Sequence, residues 1–281
     1  MALEKVSTLL KMADKKDTAV IGYNCTDYNM AYCVATVAEE LHKPAIIMLY
    51  PEHCYLNNAS EPSAFAGMVA GIVEKMDTPI GVHLDHSSDY GYIIDSIKGG
   101  FTSVMYDGSM LTPEENAINT RKVVETAHIL GVDVEAELGR VGFAANKDED
   151  NSDMYTKPET AKKFAEETGV DSIAIAIGSA HGVYVETPRL DLERLDEINA
   201  ATDVPLVLHG GSGIPDDQLN EAFKRGINKF NVGTEYFMLY YDSIREYCEK
   251  FGNEGNMFDM PKYVQAKLME YLRVKMQLSK L

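Results

Sequence analysis

The feature that most constrains this chain is a set of short β-branched or apolar runs recurring at a regular interval. They begin at Ala19, Ala45, Pro79, Ser103, Asp133, Ser172, Pro205 and Lys229, eight in all, with starts 24 to 39 residues apart. The intervals carry helical patterns such as MAYCVATVAEELHK and DQLNEAFKRG, the cadence of successive βα units. Continuous apolar runs suit parallel strands buried on both faces. Helix boundaries divide the chain in the same way. Thr112-Pro113-Glu114-Glu115 and Thr156-Lys157-Pro158-Glu159 each read as a capping box with proline in the first turn. Gly131, Gly169 and Gly226 each follow a helical stretch, as left-handed C-caps do. Eight such units closing on themselves predict an α/β fold, a (β/α)8 TIM barrel. It fills one domain over residues 1–281, with a helical extension at about 236–281. An open doubly wound sheet is the competing architecture, but no Gly-x-Gly-x-x-Gly follows the first run.

Composition narrows the partners. Asp plus Glu number 44 against 26 Lys plus Arg, and the net charge of -18 repels nucleic acid and anionic membrane surfaces. Any anionic ligand must be held locally. The N-terminal MALEKVSTLLKMADKKD has no apolar signal core and no run reaches spanning length, so a cytoplasmic location is expected. Cys25, Cys33, Cys54 and Cys248 have no metal-type spacing and are expected to be buried small hydrophobes.

Barrel chemistry comes from the C-terminal ends of strands. His83, Asp85 and His86 end the third run, Asp107 the fourth, Glu135 and Glu137 lie on the fifth, His181 follows the sixth and His209 ends the seventh. Three imidazoles with an open fourth position are a frequent catalytic zinc arrangement, and His86, His181 and His209 are the expected ligands. In HLDH, strand alternation sends His83 and Asp85 to one face and His86 to the other unless the backbone turns; a turn is expected, leaving Asp85 beside His86 for proton exchange. The bland alternative has Asp85 capping the next helix. His83 reads as a core or supporting residue, and His42, His53 and His128 as structural. The Gly-rich HGGSG at 209–213 and NVGT at 231–234 lie where barrels often hold phosphate on backbone N–H groups: Gly210, Gly211 and Ser212, with Gly233 and Thr234.

With GYN near Tyr23, HLDH at 83–86, SVMYDGS at 103–109, EAELGRVG at 135–142, AIGSAHGVY at 176–184, VPLVLHGGSGIP at 204–215 and KFNVGTE at 229–235, the chain resembles the class II, zinc-dependent ketose-bisphosphate aldolases, the fructose- and tagatose-bisphosphate aldolase family, over roughly residues 1–240. The resemblance implies reversible cleavage of a ketose (bis)phosphate to dihydroxyacetone phosphate and an aldehyde. Zinc held by His86, His181 and His209 would act as Lewis acid in place of a Schiff-base lysine. It implies Asp85 as proton donor to the aldehyde-derived hydroxyl, and Asp107 and Glu137 as a second metal position. Asn24, Gly182, residues 210–212, Asn231, Val232, Gly233 and Thr234 would bind substrate, with a monovalent cation, Na+ or K+, beside the phosphate. The loop glutamate that deprotonates carbon falls in NKDEDNSD, where Glu149 is the choice. A homodimer or homotetramer is expected.

Three departures fall where the aldehyde would bind. Tyr50 in MLYPEH stands where the family often has Ser, Gly233 replaces the first Asp of Asn-x-Asp-Thr-Asp, and the tail lacks Gly-Pro-x-Arg, leaving Lys267 or Arg273 as substitutes. They favour a tagatose-type or atypical aldehyde over strict fructose 1,6-bisphosphate. A metal-dependent sugar-phosphate epimerase or isomerase and a non-catalytic sugar-phosphate sensor are the alternatives.

Overall fold

The structure is a computed structural model that describes residues 2–54, 61–139, 141–143, 155–182, 184 and 187–281. The chain runs α1 (Val6–Asp14), β1 (Val20–Asn24), α2 (Tyr28–Leu41), β2 (Ala45–Leu49), α3 (Pro51–Cys54), α4 (Pro62–Val73), β3 (Ile80–Ser87), α5 (Tyr90–Gly99), β4 (Ser103–Tyr106), α6 (Pro113–Ile129), β5 (Asp133–Leu138) and β6 (Gly142–Phe143). It continues α7 (Pro158–Thr168), β7 (Ser172–Ile175), β8 (Ala180–His181), α8 (Leu192–Ala201), β9 (Leu206–Leu208), α9 (Asp216–Lys224), β10 (Ile227–Val232), α10 (Thr234–Phe251) and α11 (Asp259–Lys275). Eight strands close into a parallel barrel in the order β1-β10-β9-β7-β5-β4-β3-β2, and β6 pairs with β8 outside it. The eight apolar runs are the eight barrel strands.

Alternation along each strand sorts the side chains into two compartments. Ile21, Tyr23, Ile47, Val82, Leu84, Val134, Ala136, Leu206 and Leu208 face outward into the main core beneath the helices. Inward-facing Val20, Ile46 and Met48 form a separate plug with Val6, Leu9 and Leu10 of α1. Gly81 makes room for that plug, since a Cβ there would lie 2.8 Å from Val6 Cγ2. The lower mouth is therefore sealed with apolar side chains. Further up the interior, the inward positions turn polar and charged: His83, Asp85, Glu135, Glu137, Lys229, Asn231 and His209 are all buried.

Thr112 and Glu115 form a reciprocal capping box at α6, as expected. The second box does not form. Lys157 is the N-cap of α7 without a side-chain hydrogen bond, because the Thr156 hydroxyl donates to the Leu138 carbonyl and accepts from Ala176 N–H. Cys25 and Cys33 are buried as expected, Cys248 is exposed contrary to expectation, and the side chain of Cys54 lies outside the described residues. The C-terminal α11 packs against α2 and α10, burying Val264, Leu268 and Leu272. No helix among the described residues is long and apolar enough to cross a membrane.

Candidate active site

The backbone turn expected in HLDH takes the form of a bulge. The β3 strand runs on to Ser87, but its register with β4 shifts between Leu84 and Ser87, and His86 adopts a left-handed φ of 36°. A non-glycine residue there is strained, a cost found at functional sites. The bulge brings His86 onto the inner face beside Asp85. Asp85 does not cap the following helix; Asp89 does, accepting from Gly91 and Tyr92 N–H groups.

His86, from β3, meets His181 of β8 and His209 just past β9, with nitrogen atoms within 4.8 Å of one another. The His86 ring centroid lies 4.9 Å from that of His181 and 4.6 Å from that of His209. His86, Asp107 and Glu137 form a second group within the same limit. His86 Nδ1 donates to Asp107 Oδ2 at 2.9 Å, and Asp107 Oδ1 accepts from Ser109 N and Oγ. His209 Nε2 donates to Glu135 Oε1 at 2.8 Å, which leaves Nδ1 as its free lone-pair position in the neutral ring.

Whether these residues suit a metal ion is decided by two orphaned atoms. His209 Nδ1 and Glu137 Oε2 are buried without a hydrogen-bond partner and lie 3.4 Å apart. Buried polar atoms of this kind are costly unless something fills the gap. Burial opposes charge on His209, yet its hydrogen bond to Glu135, the nearby Glu137 carboxylate and the negative charges of Glu135 and Asp85 raise its pKa to about 10. Burial and the neighbouring His86 and His209 lower His181 to about 3. The pocket thus attracts positive charge and offers a neutral imidazole, the donor set that fits a zinc ion.

Asp85 is anchored on both oxygens: Asn24 Nδ2 donates to Oδ2 at 2.9 Å and Asn231 Nδ2 to Oδ1 at 3.1 Å. Burial would raise its pKa, but the charges of His86, His209, Lys229 and His83 prevail and hold it at about 2. Across the barrel mouth, the loops after β9 and β10 are tied together where Glu235 N–H donates to Ser212 Oγ at 3.3 Å. Gly233 is the N-cap of the 18-residue α10 and has no side chain to cap it; the Glu235 N–H is taken by Ser212 from that loop and the Tyr236 N–H by Gly233 O. Gly210 has φ 65°, and a Cβ there would lie 2.4 Å from Ala180 O; one on Gly211 would lie 1.7 Å from Phe230 Cε2. The loop can approach this closely only as bare backbone. Tyr184 braces it, donating to Gly210 O at 2.7 Å and accepting from Ala180 N–H at 2.6 Å.

The family model for class-II fructose-bisphosphate aldolase matches residues 4–280. The chain belongs to that family. The aldolase is 37% identical over 267 residues to the D-tagatose-1,6-bisphosphate aldolase subunit GatY of Klebsiella oxytoca, across 94% of this chain and 93% of that one. Among solved structures it is similar to the YdjI aldolase of Escherichia coli K12, with a TM-score of 0.87 and 31% identity over 99% of this chain and 97% of the other. The fructose-bisphosphate aldolase of Campylobacter jejuni shares the fold, with a TM-score of 0.83 at 22% identity over 99% and 95% of the two chains. The protein is therefore an aldehyde-lyase, making and breaking a carbon–carbon bond.

The sequence pattern under-read the floor of the aldolase site. Lys229 was marked as the start of a run, but β10 begins at Ile227 and carries Lys229 inward, where its ammonium donates to Glu135 Oε2 at 2.8 Å with both side chains fully buried. Glu135 therefore links Lys229 to His209. The available signal was Glu135 and Glu137 at i and i+2 on one inner strand face, together with a lysine inside an apolar run. His83, fully buried, shares a hydrogen bond of 2.9 Å between Nδ1 and Ser103 Oγ, and burial, ahead of the nearby Lys229 charge, lowers its pKa to about 3. Asn24 and Asn231, expected to touch substrate, both donate to Asp85 through Nδ2, and the Oδ1 atom of each is buried without a hydrogen-bond partner. Gly182 directly follows His181 at the edge of the pocket. Lys267 and Arg273 are not brought to the site: Lys267 pairs with Glu246 and Arg273 with Glu40 on the outer helical surface. Glu149 lies outside the described residues.

Proposed function

We propose that this aldolase reversibly cleaves a ketose phosphate to dihydroxyacetone phosphate and an aldehyde. A tagatose-type substrate, or one built on an atypical aldehyde, fits better than strict fructose 1,6-bisphosphate. The observation that carries this reading is the meeting of His86, His181 and His209 beside an acid, Asp85, that is pinned on both oxygens. GatY, named for tagatose 1,6-bisphosphate, supports the choice of ketose.

His86, His181 and His209 would hold zinc, with Asp107 and Glu137 sharing a second position beside His86. When bound, zinc supplies a Lewis acid for the ketone carbonyl. Glu135 keeps the His209 ring in the orientation that turns Nδ1 to the pocket. Asp85, held as the anion, takes the hydroxyl proton at the aldehyde carbon in cleavage and returns it in condensation. Asn24 and Asn231 fix its aim. Asn24, Gly182, Gly210, Gly211, Ser212, Asn231, Val232, Gly233 and Thr234 are assigned to the substrate, with its phosphate on backbone N–H groups of the loops after β9 and β10 and Na+ or K+ alongside. Glu149 is assigned the proton transfer at carbon. Exposed Met238, Tyr241, Met257 and Phe258 support self-association as a homodimer or homotetramer.

The test needs no aldehyde. Zinc-loaded protein given dihydroxyacetone phosphate alone should exchange a C3 hydrogen with deuterated water, and a chelator should abolish the exchange. Binding of the phosphate without exchange would overturn the reading and favour a sensor.

A further inference from the structure

The two halves of the pocket differ in charge, and the barrel order says which half meets the aldehyde. In the closed order β1-β10-β9-β7-β5-β4-β3-β2, β3 lies four strands from β9 and β4 lies four strands from β10, so each faces the other across the mouth. The glycine loops hang on β9 and β10. Resting on the reading above, a ketose phosphate anchored there and reacting at the histidines directs its far end to the wall above β2, β3 and β4.

Among the described residues, that wall presents acceptors. Tyr50 follows β2 on the inward side, its ring edge against His86 with centroids 5.6 Å apart and planes at 68°. Its hydroxyl donates to Glu52 Oε2 at 2.9 Å. Asp107, past β4, presents a second carboxylate, tied to His86 and Ser109. The two long cations of α11 considered above are engaged on the outer surface by Glu246 and Glu40. A terminal phosphate, a dianion, would meet Glu52 as a like charge, whereas sugar hydroxyls would donate to that carboxylate and to the Tyr50 oxygen.

We infer that Tyr50 and Glu52 select a hydroxylated aldehyde with no anionic group at its far end, so that, of the two substrate kinds proposed above, the ketose is the one built on an atypical aldehyde and carries one phosphate, unlike tagatose 1,6-bisphosphate. Glu52 acts by excluding the wrong partner as much as by holding the right one.

The experiment condenses dihydroxyacetone phosphate with glyceraldehyde or with glyceraldehyde 3-phosphate, using zinc-loaded wild type and Glu52→Gln. Glu52 is exposed, so the variant keeps the fold. Wild type should show the higher kcat/KM with glyceraldehyde. The substitution should shift the ratio of the two kcat/KM values about tenfold toward the phosphorylated aldehyde, the size expected for one partly screened charge acting on a dianion. A wild-type preference for glyceraldehyde 3-phosphate, or a ratio unmoved by Glu52→Gln, would overturn the inference while leaving the aldolase reading intact. Absence of hydrogen exchange from dihydroxyacetone phosphate in wild type would instead remove the donor assignment, and the inference with it.

Discussion

The histidine centre and the glycine cradle sit on one rim and are made in opposite ways. The centre consists of side chains locked by charge: His209 is held by Glu135, Glu135 by Lys229, His86 by Asp107, and Asp85 by two asparagines. The cradle consists of backbone, and its defining property is the absence of side chains at Gly210 and Gly211. The first is specified by what each residue carries, the second by what it lacks. Substitutions should therefore fail differently in the two places, through metal affinity in one and through packing and phosphate affinity in the other.

The sharpest separation should come from His209→Ala. It removes one of three nitrogen donors and leaves Glu135 and Glu137 facing each other across a void, so metal retention should fall and turnover drop at least about a thousandfold, the equivalent of several kcal/mol. Inorganic phosphate, titrated as a probe of the cradle, should still bind. If phosphate binding vanished with the metal, the two regions would be one unit and the contrast would break.

Gly211→Ala tests the other side. A methyl 1.7 Å from Phe230 Cε2 cannot be accommodated without moving the loop or the ring, and overpacking of this kind costs about 1–3 kcal/mol. A lower melting temperature and weaker phosphate binding are expected, with zinc affinity measured by chelator competition left near wild type. A loss of zinc affinity comparable to that of His209→Ala would overturn the separation.

The same contrast explains what the sequence made legible. The eight strands were readable because their outward residues, such as Ile21, Ile47, Val82 and Val134, give uninterrupted apolar runs when mixed with small or apolar inward ones. Strand-end histidines were readable because imidazoles are scarce and fell on one rim. The cradle was readable from Gly-Gly and Gly-Thr turns at the right strands. Lys229 and Glu135 were not assigned a part, because a charged pair buried at a strand centre shows no local pattern: the partners are 94 residues apart and meet only through barrel closure. The misread cap at Thr156 has the same origin, since two long-range backbone groups, Leu138 O and Ala176 N, outcompete the local helix start for one hydroxyl. The bulge at His86 was foreseeable as a turn but not as a register shift, which depends on the neighbouring strand.

Glu135→Gln probes the centre without touching a ligand. The amide can still accept from His209 Nε2 on its oxygen, but it loses the charge that Lys229 neutralises, and in the flipped orientation it presents an N–H to the ring. The orientation of His209 then ceases to be unique. Supporting partners of metal-bound histidines are typically worth about 10–100-fold in metal affinity, and that loss should appear in chelator competition while phosphate binding stays unchanged. Melting of the metal-free variant beside wild type separates this from general damage, because a buried ammonium left with a neutral partner also destabilises the fold. The double variant Glu135→Gln with Lys229→Met removes that unpaired charge. It should recover stability without recovering zinc affinity, and recovery of both would reduce Glu135 to a counter-ion.

Ser212→Ala is the smallest of the four. Its hydroxyl accepts from Glu235 N–H and links the loop after β9 to the first turn of α10. Its loss removes one neutral hydrogen bond at a half-exposed position, worth about 0.5–1.5 kcal/mol. The KM for the phosphorylated substrate should rise several-fold with kcat little changed, since the bond acts on a group distant from the reacting carbons and is present equally in ground and transition states. A fall in kcat at constant KM would mean that the cradle sets the geometry of the histidine centre, and that side chains and bare backbone on this rim work as one device.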